Sequence, residues 1–399
     1  MNRRRGKKIV MMAIGGIGIL ALIAVAALLL IGGAFVAPKY LEPWQKNVAQ
    51  QSGDPRVRLS AHGLLAASGH NMQPWKIKLD GSNPNVFYLY ADSERLADMV
   101  DPLSRQTMVS QGTFLENVRI AGSQLGYLTD IALFPGGAFD ERNLRASMDA
   151  KPVARVTLEQ SDRQGESLYD FLFLPDTNRA AYRSDRLTVD EIKALEDISG
   201  DNGVTVKVFQ GEPNVSKLGS YALRAAIVEA GVSRVMEESD DIFRANEREK
   251  NAYRSGFSVE GQGTGGLMRY LVQGLVTLFP SMNTGQAASE RFVQSAEKSV
   301  GSTPAYVMIL SKDNSRKSQI ESGMAYGNLI LEAHRRGLVM QPLSQALEEY
   351  PEMKELYDGI HREYAPDGEV IQMLVRIGRP TREVPQTMRR DVRELLASQ

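Results

Sequence analysis

Apolar and polar residues divide the chain into one long uncharged run and a body of alternating strand and helix signatures. Ile9 to Ala37 is 29 residues without a charge. A spanning helix needs about 20 residues at roughly 1.5 Å each, so this run predicts a helix able to cross a bilayer with tilt. Beyond it, apolar–polar alternation predicts strands at "WKIKL", "VFYLYA", "VARVTL", "VTVKVF", "AYVMIL" and "VIQMLVRI", because successive side chains of a strand point to opposite faces. Helical spacing predicts helices near 60–67, 110–125, 188–198, 215–238, 318–336 and 346–358. Thr188, with Glu191 three residues on, reads as a capping box.

Charge around the apolar run adds a direction. "MNRRRGKK" carries five cations, against Lys39 and Lys46 on the far side. The excess of cations before the run places the first eight residues in the cytoplasm. Residues 9–37 are then a single-pass transmembrane anchor, with the body on the non-cytoplasmic side. A secretory signal has a shorter apolar core, about 7–15 residues, and a small-x-small cleavage site. A cut after Ala37 would put Phe35 at the −3 position, so an uncleaved anchor is expected.

Composition removes several chemistries. The chain of 399 residues has no cysteine, which excludes disulfides, zinc–thiolate sites, iron–sulfur clusters and thiol nucleophiles. Its four histidines show no metal-ligand spacing. A net charge of −1 gives no support for a nucleic-acid partner. The glycines of "EGQGTGG" follow no strand, so they do not make a dinucleotide fingerprint.

The body is written twice. "SGHNMQPWKIKLD" resembles "SGDNGVTVKVFQG", with Gly69 and Gly200, Asn71 and Asn202, and Lys76 and Lys207 each 131 residues apart. "QGTFLENVRIAGSQLGYL" resembles "SGMAYGNLILEAHRRGLV", with Gly112 and Gly323, Asn117 and Asn328, and Gly126 and Gly337 each 211 apart. The wider second spacing implies about 80 extra residues in the second copy, between 210 and 318. The expected fold is α+β and internally duplicated, with a first half at 56–160 and a second at 175–399. Gln73, Pro74 and Trp75 align with Val204, Thr205 and Val206, so one copy kept a polar edge and the other became plain strand.

That polar edge is the candidate site. Asn71 and Gln73 each offer a donor and an acceptor, suited to a ring edge of alternating C=O and N–H groups. Each feature also has a plain structural reading: Asn71 as a cap, Trp75 as core, the arginines as solvated charges. His70 either lines a pocket or faces solvent.

"SGHNMQPW" before a strand resembles the flavin-contacting motif of the FMN-dependent nitroreductase superfamily. "ADSERLADMVDPLSRQTMVSQGTFLENVRIAGSQLG", "TNRAAYRSDRLTVDEIKAL", "SGMAYGNLILEAHRRGLVMQPLSQ" and "VRIGRPTREVPQTMRRDV" resemble, in order, stretches of its fused single-chain Acg-like branch. The likeness covers residues 56–399 apart from much of the insert. It implies a nitroreductase-like fold of central sheets flanked by helices, in a monomeric pseudo-dimer with one complete FMN site. Carried over, Ser68, Asn71 and Gln73 come from the first half. Arg179, Arg183, Pro342, Leu343, Ser344, Arg389 and Arg390 come from the second. The mirror site retains only Arg56 or Arg58 as an opening arginine. Two departures stand out: Ala180 replaces a second arginine, and Ser344 and Gln345 stand where acid and glycine are usual. The resemblance implies a flavin oxidoreductase with a small aromatic or quinone-like electron acceptor. A flavin-sequestering protein, its cofactor roofed by the insert, is the alternative.

Overall fold

Strand propensity and alternation build two antiparallel strand pairs. The computed structural model describes residues 2–162, 165–200, 203–261 and 263–397. In the first half, β1 (Trp75–Leu79) pairs with β2 (Val86–Ala91), followed by a helix at Arg105–Leu125, β3 (Tyr127–Leu133), a short helix at Leu144–Ala150 and β4 (Ala154–Gln160). The antiparallel sheet has the order β1-β2-β4-β3. In the second half, β5 (Val204–Gln210) pairs with β6 (Ala305–Ser311). A helix at Arg316–Arg335, β7 (Val339–Pro342), a helix at Lys354–Tyr364 and β8 (Val370–Gly378) follow. The sheet order is β5-β6-β8-β7, so both halves share element order and sheet topology. Asn202, the counterpart of Asn71, lies outside the described residues.

All six predicted strands form. β3 and β7 were not anticipated: β3 is an edge strand with no buried residue, and β7 has only four residues. The helix expected at 346–358 lies instead at Lys354–Tyr364, preceded by two short 3-10 turns. Pro351 explains the delay, since proline disfavours the helical region for the residue before it. The helix expected at 215–238 divides at Gly231 into Asn214–Ala230 and Ser233–Asp241.

The cores follow from the strand patterns. Trp75, Ile77, Phe87, Leu89 and Val156 of the first sheet pack with Phe114 and Val118 of its long helix. β6 is buried along its whole length. Met308 and Leu310 face Leu218 and Leu347, while Val307 and Ile309 face Leu195 and Leu329. A continuous apolar run is what a central strand covered on both faces requires.

The two long helices, Arg105–Leu125 and Arg316–Arg335, cross where glycines meet. A methyl on Gly112 would overlap the Ile320 carbonyl oxygen, and one on Gly323 the Val109 carbonyl oxygen. Arg105, buried at the start of its helix, donates to the Gln372 and Leu347 carbonyls at 2.5 and 3.0 Å, tying the halves together.

The N-terminal helix spans Asn2–Gly32, and its Gly15–Gly32 window has a mean hydropathy of 2.6. It is long and apolar enough to cross a membrane. Its helical part stops short of Ala37 because Gly33 turns the chain at φ 89°. The insert occupies the connection between β5 and β6, where the first half has only the short turn between β1 and β2.

Candidate functional site

The turn before β1 is unusual in its backbone: His70, Asn71 and Gln73 all have φ between 51° and 53°. A non-glycine residue in the left-handed region is uncommon, and asparagine is among the residues that tolerate it best. Ser68 holds the turn from inside, its Oγ accepting the Gln73 N–H at 3.0 Å. Pro74 leads into Trp75, which is fully buried, and whose Nε1 donates to the Ser110 carbonyl at 2.9 Å. Trp75 is core.

The carboxamides of Asn71 and Gln73 find their partners far along the chain. Asn71 Nδ2 donates to the carbonyls of Gly256 (3.0 Å) and Met388 (3.1 Å), and its Oδ1 accepts from Arg389 at 2.8 Å. Gln73 Nε2 donates to the Arg254 carbonyl at 2.8 Å and the Asn71 carbonyl at 3.3 Å, and its Oε1 accepts the Arg390 N–H at 2.9 Å. These contacts use every amide hydrogen of both side chains. The turn is therefore stitched to the C-terminal segment and to the insert, which contributes the Arg254 and Gly256 carbonyls.

The two C-terminal arginines are buried rather than solvated. Arg389 donates to the Leu65 and Ala66 carbonyls at 3.0 and 3.2 Å, sits 3.4 Å from Asp176, and stacks 4.5 Å from the Trp44 ring centre. Arg390 donates to the Gln73 and Trp75 carbonyls at 3.1 and 3.2 Å and lies 3.8 Å from Asp92. Asp92 is itself buried and collects Lys76 at 2.9 Å and Arg95 at 3.4 Å. Burial lowers the pKa of both arginines, Arg390 to about 10.

Arg179 behaves differently. Its side chain is exposed to water and makes no hydrogen bond among the described residues. Yet its pKa is lowered, first by desolvation, while Asp176, Tyr182 and Tyr326 act to raise it. Arg179 is thus exposed at the surface, with Asp176, Tyr182 and Tyr326 close enough to act on its charge. Near it, His70 is held neutral, its pKa pushed down to about 4 by burial and then by the Arg179 charge. The Tyr326 hydroxyl, buried, has no hydrogen-bond partner among the described residues. Guanidinium forks match phosphate oxygens, and a buried phenol favours a polar partner.

The remaining predicted residues stand apart from this turn. Arg183 is exposed and paired with Asp185 at 2.9 Å. Pro342 closes β7, Leu343 is core, and Ser344 Oγ donates to the Leu374 carbonyl and accepts its N–H, both at 3.0 Å. Among the described residues no hydrogen bond joins Pro342, Leu343 or Ser344 to the 68–73 turn. Arg56 is bound to Asp54 and to the Asp80 and Val86 carbonyls, which leaves little of it for a mirror site. Sequence reading did not single out Asp92, Asp176 or Tyr326, although the first and last lie within quoted motif stretches. The Arg254 and Gly256 carbonyls carried no signal, since any residue supplies one.

Two hollows lie beside the turn. One is lined by His70, Met72, Arg95 and Asp101, the other by Ala66, Asn117, Asp176 and Leu331, and each has a cavity volume of about 10 Å³. Both are smaller than the roughly 300–1,000 Å³ of ordinary ligand pockets. Among the described residues no group of three or more His, Asp or Glu side chains could hold a metal ion.

No family model matches the chain. Over 99 residues it is 29% identical to the uncharacterised protein Rv3127 of Mycobacterium tuberculosis, and equally to the uncharacterised protein MT3212 of another strain; the match covers 25% of this chain and only 28% of either relative. Solved structures similar in part include a putative nitroreductase from Anabaena variabilis (TM-score 0.37, 12% identity, 74% of this chain and 69% of that one). A nitroreductase with bound FMN from Desulfitobacterium hafniense gives a TM-score of 0.35 at 10% identity, over 55% of this chain and 93% of that one. The FMN-dependent nitroreductase NfnB from Mycobacterium smegmatis gives 0.30 at 16%, over 52% and 84%. At these values no residue role passes from those proteins to this chain.

Proposed function

We propose that the chain is a membrane-anchored FMN-binding oxidoreductase of nitroreductase type, in the Acg-like manner, passing electrons to a small aromatic or quinone-like acceptor. The observation that carries this reading is Arg179: an exposed, unbonded guanidinium whose charge acts on His70 of the "SGHNMQPW" turn and on the unpartnered Tyr326 hydroxyl. This donor set fits a phosphate-bearing ligand. Arg179 would hold the phosphate, and the Ser68–Gln73 turn, braced by Arg389 and Arg390, would form the wall beside the ring. FMN, when bound, supplies hydride and electron transfer. The chain's own part is to bind, orient and shield, so absent thiols are no obstacle. Neutral His70 adds a polar wall without a second positive charge.

The shared element order, the matching sheet orders and the reciprocal glycine crossing support descent from a duplicated half. Val204 to Val206 in place of Gln73 to Trp75 supports one site per chain. The apolar helix supports anchoring, and the flanking charges support a body outside the cytoplasm, where cytosolic NAD(P)H is not at hand.

A second reading is a flavin-sequestering protein without turnover. It is favoured by the insert, whose Arg254 and Gly256 carbonyls bind Gln73 and Asn71 directly. The detergent-solubilised full chain should show a flavin absorption spectrum and saturate with FMN at one equivalent. Bleaching on addition of NADPH or dithionite together with a quinone-dependent return of colour supports the enzyme. A flavin that no acceptor reoxidises supports sequestration, and no FMN binding at all overturns both.

A further inference from the structure

The insert helix Gly266–Leu278 is turned inside out relative to an ordinary surface helix. Its polar side is buried: Gln273 is fully buried, and its Nε2 donates to Glu247 at 3.1 Å and lies 3.5 Å from Glu260. Those two carboxylates bind Lys250, buried with them, and Tyr40 donates to Glu247 at 2.8 Å. Arg269, on the same helix, is 3.7 Å from Glu260. The apolar side is what faces outward. Leu267, Met268, Leu278 and Phe279 are 49–64% exposed, and Met282 in the next turn is 45% exposed. Burying charged groups and exposing large apolar ones are each unfavourable in water.

What covers that face follows from its neighbour. From Gly15 to Ala27 the N-terminal helix is exposed, and it begins to pack at Leu28. It packs there against this same insert helix. A methyl on Gly32 would overlap the Tyr270 carbonyl, and one on Gly274 the Leu28 carbonyl. The exposed apolar face thus lies where the candidate spanning helix leaves the hydrocarbon. The insert helix has 13 residues, too few to span the roughly 30 Å core.

We propose that the Gly266–Leu278 helix and the following turn through Met282 form an interfacial membrane-docking face, lying in the plane of the bilayer with Leu267, Met268, Leu278, Phe279 and Met282 among the lipid chains. This inference rests on the anchored reading above and extends it: the bilayer holds the body through two elements. An amphipathic helix in this setting sinks about 5–10 Å into the headgroup–acyl boundary. Because the insert also binds Asn71 and Gln73, through Arg254 and Gly256, the docked helix is joined by a short stretch of chain to the candidate flavin turn.

The chain has no cysteine, so single labels can be placed in the full-length protein. L22C in the spanning helix, M268C and F279C on the proposed face, and E355C on a distant exposed helix would each carry an environment-sensitive nitrobenzoxadiazole probe. Proteoliposomes would contain phosphatidylcholine and phosphatidylglycerol, with or without a nitroxide-bearing lipid. The expected result is blue-shifted emission and nitroxide quenching at Met268 and Phe279, as at Leu22, and neither change at Glu355. Quenching at Leu22 alone, with the face behaving like Glu355, overturns the inference and leaves the anchor standing. Blue shift at Met268 without nitroxide quenching means that protein, such as a second copy, covers the face, and also overturns it. No quenching at Leu22 removes the anchored reading itself.

Discussion

Gly112 and Gly323 face each other across the two long helices, each against the carbonyl of the residue three positions before its partner. The pair stands 211 residues apart, the spacing shared by the two matched sequence stretches. Backbone occupies the space a side chain would need, and backbone yields less readily than a flexible side chain. Gly112→Ala should lower unfolding stability by about 1–3 kcal/mol, the usual cost of overpacking. Gly81→Ala, in open space, should stay within about 0.5 kcal/mol of the parent. Chemical unfolding of both variants checks the contrast; equal stabilities would mean that the crossing is looser than described.

Asn71 is placed as a brace. Its carboxamide joins Arg389, the Met388 carbonyl and the Gly256 carbonyl. Removing it leaves a buried guanidinium with fewer acceptors, and hydrogen bonds to charged groups contribute about 1.5–3 kcal/mol. Asn71→Ala should therefore lower stability by about that amount in the absence of any flavin. A variant of parental stability that only loses FMN affinity would make Asn71 a ligand contact instead.

Arg179 and Arg183 lie four residues apart but differ in circumstance: one is exposed without a hydrogen bond among the described residues, the other paired with Asp185 on the surface. Arg179→Ala should weaken FMN binding about tenfold or more, the value of a charge-assisted hydrogen bond. Arg183→Ala should leave affinity within about twofold, as an exposed ion pair contributes little. Fluorescence titration of the two variants compares them directly. Equal losses would place the phosphate elsewhere.

Glu229 and Glu348 form a buried pair outside the candidate site. Burial raises both pKa values, and the charge of Glu229 raises Glu348 further. The folded chain then binds a proton more tightly here than the unfolded chain. This contribution is complete below the ordinary carboxylate range, near 4.5, and is lost as pH rises above it. Glu229→Gln keeps the shape and removes one titration. Its Tm should fall less than the parent's between pH 5 and pH 8, with each kcal/mol worth on the order of 2 °C. Parallel Tm–pH curves would show that the pair is not protonated in the folded state.

Local pattern was enough for much of the architecture. Apolar alternation located six strands, an uncharged run of 29 residues marked the spanning-type helix, and equal residue spacings paired Gly112 with Gly323. These are periodic properties, written by residue type at fixed intervals. Two of the four edge strands escaped, because β3 buries no residue and β7 is too short to show a period. The site was legible as a set of residues but not as a set of contacts. Asn71 and Gln73 meet Arg389 and Arg390 more than 300 positions away, and their other partners are carbonyls of Arg254, Gly256 and Met388. A backbone oxygen has no residue signature, so only the folded chain could reveal that bond. The same holds for the insert helix. Its amphipathic sequence is compatible with covering protein or lipid, and the outward turn of its apolar face was decided by Glu247, Lys250 and Glu260 gathering its polar side inward.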